Sequence, residues 1–259
     1  MTRQHEEAIA LARDRLMPDP DVVAMVVIGS VARGEAQDRS DVDLVIVLTE
    51  DAVRNRAARS ELSFRPDGLG TRTHIGGGFV DEGFLRDVAD RGPEPSRFAF
   101  LSARLVFSRS PAIAGVLERI PVYQEAERVQ KMMSFVSQLP VHLSYLELGE
   151  YSRNAWLLAQ TAVELVLFGG RLILAHNRIL FPNRKQFMGV LATAPEKPEG
   201  LMDMADALMM APSIAMAKRF HDAVMGFRDW PKAPEGSWAR FQIDRETNWR
   251  GGRAALADS

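Results

Sequence analysis

The chain has 259 residues, 46% of them hydrophobic and 25% charged, enough apolar material for one large core or two modest ones. Lys and Arg number 32 against 34 Asp and Glu, a formal net charge of -2, so there is no global positive field for wrapping nucleic acid. The absence of cysteine rules out disulfides, thiolate zinc sites and Cys nucleophiles.

The N-terminal stretch MTRQHEEAIALARDRLMPDP is too charged for a secretory segment, and no uninterrupted apolar run reaches spanning length, so a cytoplasmic protein without a membrane segment is expected. Ala8, Ile9, Leu11, Ala12, Leu16 and Met17 recur at helical spacing and stop at Pro18, which predicts a helix over 3–17. Two apolar, β-branched runs, VVAMVVIG (22–29) and VDLVIVLT (42–49), read as buried strands. A short charged helix follows at 51–59. Pro66, Gly68 and Gly70 mark a loop before a third strand around 71–80, then come a helix at 81–90 and a strand at 103–107.

From Pro121 onward the alternation of strands gives way to helical periodicity at 122–139, 141–149, 152–176, 184–193 and 198–229. The fold expected is an α/β domain with a small mixed sheet (1–115) followed by an all-α bundle (116–259). Beyond Pro231 a partly docked arm held by Trp238 and Trp249 is expected. The Met-rich run at 201–216 reads as a deformable packing face.

The segment VVIGSVARGEAQDRSDVDLVIVL (26–48) carries the chemistry. A buried strand ends at Gly29-Ser30, where the glycine permits close approach and the serine offers a hydroxyl and nearby N–H donors to a phosphate. Asp41 and Asp43, two apart at the start of the next strand, point to one side of the sheet and can share a divalent metal. Hard oxygen ligands of this kind suit Mg²⁺ or Mn²⁺. Arg33 and Ser40 lie beside the acids as further phosphate contacts.

G-S-V-A-R-G-E followed by S-D-V-D-L resembles the signature of the polymerase-β-like nucleotidyltransferase superfamily. That resemblance implies that Gly29 and Ser30 contact nucleotide phosphates, that Asp41 and Asp43 bind Mg²⁺, and that ATP or another nucleoside triphosphate is the substrate. The helical half resembles that of small-molecule adenylyltransferases, antibiotic-modifying enzymes among them, with the active cleft expected between the two halves. Within LILAHNRILFPNRKQF (172–187), the same likeness implies that Lys185 reaches the triphosphate. One departure stands out. Many members carry a third carboxylate on a neighbouring strand, yet TRTHIGGGFV (71–80) has none. A general base is then sought in His74, in the flanking Asp67 and Asp81, or in Glu147, Glu150 and Glu164 of the bundle.

The expected reaction moves a nucleoside monophosphate, AMP from ATP foremost, to a hydroxyl of a small-molecule acceptor. Near-neutral charge disfavours a nucleic-acid partner, and the oligomeric state is left open. The alternative is a nucleotide-binding or antitoxin-like regulatory module of the same fold with little turnover.

Overall fold

A computed structural model describes residues 2–66, 73–251 and 256. The chain packs as two units, Met1–Val122 and Tyr123–Ser259.

The first unit is built on a five-stranded mixed sheet: β1 (Val22–Ile28), β2 (Val42–Leu48), β3 (Ser63–Phe64), β4 (Ile75–Val80) and β5 (Arg104–Ser108), in the order β3-β4-β2-β1-β5. β2 and β4 run parallel; the other neighbours are antiparallel. The central strands β1 and β2 are apolar almost throughout because both faces are covered. On one face Val42, Leu44 and Ile46 pack with Ala8, Ile9, Ala12 and Leu16 of α1 (Arg3–Leu16), with Val31 of α2 (Gly29–Arg33) and with Ala52 of α3 (Glu50–Ala58). On the other, Val45 and Val47 pack with Leu85 and Val88 of α4 (Glu82–Arg91) and with Ile113 and Val116 of α6 (Ala112–Arg119). Between them lies α5 (Glu94–Ala99), pinned by buried Arg97, which donates to the carbonyls of Ala89, Gly92 and Ile120.

The elements missed by periodicity are the short ones, β3, α5 and α6, each too brief to register a repeat. Because α6 shares a core with α4, the first unit extends to Val122; a cut at 115/116 passes through that helix.

The second unit is helical: α7 (Glu125–Tyr151), α8 (Ala155–His176), α9 (Phe187–Ala192), α10 (Leu201–Met210), α11 (Ile214–Phe227) and α12 (Ser237–Arg245). Three expectations are corrected here. α7 runs unbroken through Pro140, since Val136, Leu139 and Val141 on either side are buried and packing outweighs the missing N–H. The single segment expected at 198–229 divides at Ala211–Ser213, where the Ser213 hydroxyl accepts from Met216 N–H and starts α11. The expected arm is instead a helix, α12, seated on α7 by Phe241 and by Arg240, whose guanidinium donates to Ser134 and Asp244. Of the two tryptophans expected to hold it, Trp238 meets Tyr145 of α7 edge to face although it is largely exposed, and Trp249 is exposed beyond the end of α12.

Among the described residues one helix, α8, is long and apolar enough to cross a membrane, with a mean hydropathy of 1.6. Most of that stretch is buried in the bundle, and a helix that is hydrophobic nearly all round is what a bundle centre requires.

Candidate active site

β1 ends at Ile28, and the chain turns directly into α2. Gly29 makes that turn with φ +74°, a left-handed conformation that favours glycine. A Cβ on residue 29 would stand 2.6 Å from Asp43 Oδ2, so the turn and the carboxylate are in contact and only glycine leaves room for both. Register explains the meeting, because Asp43 lies opposite Ile28 on the neighbouring strand. Ser30 occupies the first turn of α2, and its carbonyl accepts the N–H of Glu35 as the helix closes at Gly34.

Asp41 and Asp43 are both exposed and flank buried Val42. Alternation along β2 puts Asp43 on the same face as Val45 and Val47, at the strand's N-terminal edge, and Asp41 one step further out. The parallel register with β4 then decides what lies across from them. Gly76 is opposite Asp43, and a Cβ there would meet nothing within 4 Å, so the position is open to a side chain and holds no acid. His74 precedes β4, is exposed, accepts the N–H of Val42 through its carbonyl, and falls on the same face as the two acids by alternation from Gly76.

Two hard carboxylates at one sheet edge, next to a turn whose first N–H groups have no partner within the helix, make a donor set suited to Mg²⁺ together with phosphate oxygens. Among the described residues no group of three or more His, Asp or Glu side chains gathers as a metal cluster. Further coordination positions would fall to water and substrate, the habit of Mg²⁺.

Most of the other residues singled out from the sequence are held by partners within their own unit. The Arg33 side chain is only 7% exposed; its guanidinium stacks over Phe98 at 5.1 Å and its Nε donates to Glu35 at 2.9 Å, which ties α2 to α5. Ser40 Oγ accepts the N–H of Gln37 at 2.9 Å and so closes the turn that leads into Asp41. Asp81 caps α4, accepting the N–H of Phe84 at 2.7 Å. It sits at the far end of β4, five residues and roughly 17 Å from the position opposite Asp43. Asp67 lies outside the described residues. In the helical unit Glu147 pairs with Lys218, Glu150 accepts the N–H of Ile214, and Glu164 holds Arg245 through both carboxylate oxygens. Lys185 is exposed in the turn before α9, where Asn183 Oδ1 accepts the N–H of Gln186.

Two contributors escaped the sequence. Phe98, the ring beneath Arg33, belongs to a helix too short to be foreseen. His5, fully buried in the first turn of α1, spans 35 residues to reach Ser40: its Nε2 lies 3.0 Å from the Ser40 carbonyl. A polar residue in the first turn of a helix gives no sign of such a partner; its only signal is that a histidine stands where a capping box carries Glu or Gln.

Comparison with family models picks out the same unit. Residues 9–94 match the family model described as a nucleotidyltransferase domain, a stretch that includes Gly29, Ser30, Asp41, Asp43 and all of β4. No curated protein matches the chain. Among solved structures it is similar to a nucleotidyltransferase-like protein from Exiguobacterium sibiricum 255-15, with 12% identity over 86% of this chain and 72% of that one and a TM-score of 0.46.

Proposed function

From a chain whose N-terminal unit carries a nucleotidyltransferase domain, we propose an enzyme that transfers a nucleoside monophosphate, AMP from ATP, to a hydroxyl of a small molecule and releases pyrophosphate. The observation that carries this reading is the contact between Gly29 and the Asp43 carboxylate, which brings a phosphate-sized turn and a metal-binding acid to one sheet edge. Asp41 and Asp43 hold the divalent ion, and Gly29 and Ser30 present backbone N–H groups and a hydroxyl to the phosphates. Ser40 shapes the turn before Asp41, with Arg33 holding α2 in place behind it. When bound, Mg²⁺ neutralises charge on the phosphate oxygens and on the leaving pyrophosphate. His74 is the residue best placed on the acid face to take the acceptor's proton, while Asp81 is committed to capping α4. A net charge of -2 favours a small acceptor over a polynucleotide, and the absence of cysteine agrees with a cytoplasmic setting.

A second reading, a nucleotide-binding regulatory module with little turnover, is favoured by Gly76, which leaves no acid across from Asp43. One assay separates the two. Pyrophosphate release is followed with Mg²⁺ or Mn²⁺, each nucleoside triphosphate and a panel of hydroxylic acceptors, beside the Asp41→Asn/Asp43→Asn variant, while calorimetry measures ATP binding. Acceptor-dependent release that vanishes in the variant is expected. Equal release by both proteins overturns the enzyme, and tight ATP binding without turnover establishes the module.

A further inference from the structure

We propose that His5 is a positioning residue for the metal-binding edge, setting the peptide plane that leads into Asp41. The inference rests on the nucleotidyltransferase reading of Asp41 and Asp43 above.

His5 is 0% exposed, and its ring has a polar partner at each nitrogen. Nε2 lies 3.0 Å from the Ser40 carbonyl oxygen. A carbonyl only accepts, so Nε2 carries the hydrogen and donates it. Nδ1 is then the lone-pair nitrogen of a neutral ring, and it accepts the backbone N–H of Thr2 at 3.2 Å and the Thr2 hydroxyl at 2.9 Å. The single neutral tautomer thus satisfies both sides at once, which suits a ring with no access to water.

The Ser40 carbonyl belongs to the rigid peptide unit whose nitrogen is that of Asp41. Fixing this oxygen fixes the direction from which the chain enters Asp41. The turn itself is closed locally, by Ser40 N–H to Gln37 carbonyl and by Gln37 N–H to Ser40 Oγ, both at 2.9 Å. Those bonds shape the turn without attaching it to the body of the domain, which is what His5 does. The platform behind His5 is firm: Ala8, Ile9, Ala12 and Leu16 pack α1 on the sheet, and Glu6 takes both Nη groups of Arg104 on β5 at 2.7 and 3.1 Å.

Two substitutions separate this role from simple helix capping. His5→Asn keeps an acceptor near the Nδ1 position for the Thr2 N–H but is too short to reach Ser40. His5→Gln places an amide N–H near the Nε2 position and restores the long bond. Calorimetric titration with Mn²⁺ and a non-hydrolysable ATP analogue is expected to show roughly 10- to 100-fold weaker binding for His5→Asn, the usual loss when a group behind a metal ligand is removed, with His5→Gln closer to wild type. Without any ligand, hydrogen exchange read by mass spectrometry is expected to rise in His5→Asn at residues 37–42 and to stay unchanged at 8–16. Binding by His5→Asn equal to wild type overturns the proposal. So does exchange that rises over 8–16 as much as over 37–42, the mark of a merely structural loss. If wild type itself binds no Mn²⁺–nucleotide, the nucleotidyltransferase reading fails, and the ligand-free exchange still decides whether His5 holds the turn.

Discussion

At the scale of single residues, Gly29 is the most constrained position in the candidate site. It meets two demands, a φ of +74° and a 2.6 Å approach to Asp43. Gly34, with φ +76°, meets only the first, since a Cβ there would touch nothing within 4 Å. Both alanine variants should lose about 1–2 kcal/mol from the left-handed backbone, measurable by denaturant unfolding. Only Gly29→Ala should also displace Asp43 and weaken Mn²⁺–nucleotide binding; equal binding by the two variants would count against the contact. His142 on α7 offers a test of a different kind. Its ring is stacked on Phe168, neither nitrogen has a hydrogen-bond partner among the described residues, and burial, then the charge of Arg245, pushes its pKa down to about 3. At neutral pH the ring is uncharged, so its 4.0 Å approach to Glu164 is not an ion pair. An unfolded chain takes up this proton near pH 6.5 and the native one only near 3, so stability falls as pH drops through that window, by on the order of 4 kcal/mol at its lower end. Chemical unfolding at pH 7, 5 and 4 should show the fall, and His142→Phe should flatten it. The glycine-serine turn and the paired acids could be read directly from the chain because each depends on neighbours a few residues away. His5 and His142 could not, because what defines them is a partner or a burial supplied by distant segments.

At the scale of elements, helices and strands follow their sequence periods where packing agrees, and depart where packing overrides. β1 and β2 are recognisable as continuous apolar runs because both their faces are covered. α7 departs: Pro140 removes the N–H that would reach Val136, yet the helix continues because its flanking side chains are buried against α8. Pro140→Ala restores that donor at a position already helical, and a rise in stability of roughly 1–3 kcal/mol is expected from thermal or urea unfolding. No change, or a loss, would mean that the bundle has adapted to the proline. α12 departs in the opposite direction. Its own pattern is weak, and its helical form draws on Phe241, which meets the rings of His142, Tyr145 and Trp238. A stretch whose order depends on a surface elsewhere in the chain looks like an arm when read alone.

At the scale of the molecule, two sets of cores divide the work. The sheet with its covering helices carries the nucleotidyltransferase domain, and the helical unit has a separate core centred on α8. The two candidate metal ligands are exposed and lie outside both cores, so Asp41→Asn/Asp43→Asn should keep the folded circular dichroism spectrum of the ligand-free protein. Addition of Mg²⁺ and ATP at about one hundred times Kd should stabilise wild type by about 2.7 kcal/mol and leave the double variant where it was. A thermal shift of equal size in both proteins would place the nucleotide elsewhere.

The sequence by itself determined the chemistry on offer: no thiols, a glycine-serine turn, two acids at strand spacing and a helical second half. These follow from composition and from periods of two and 3.6 residues, which are properties of neighbours along the chain. Only the tertiary structure decided which acids keep company. It put Gly76 opposite Asp43, sent Asp81 to the far end of β4 as a helix cap, engaged Glu147, Glu150 and Glu164 within the helical unit, and tied the approach to Asp41 to a histidine 35 residues upstream. Strand register and buried hydrogen bonds are set by which distant surfaces exclude water together, and no local spacing records that choice.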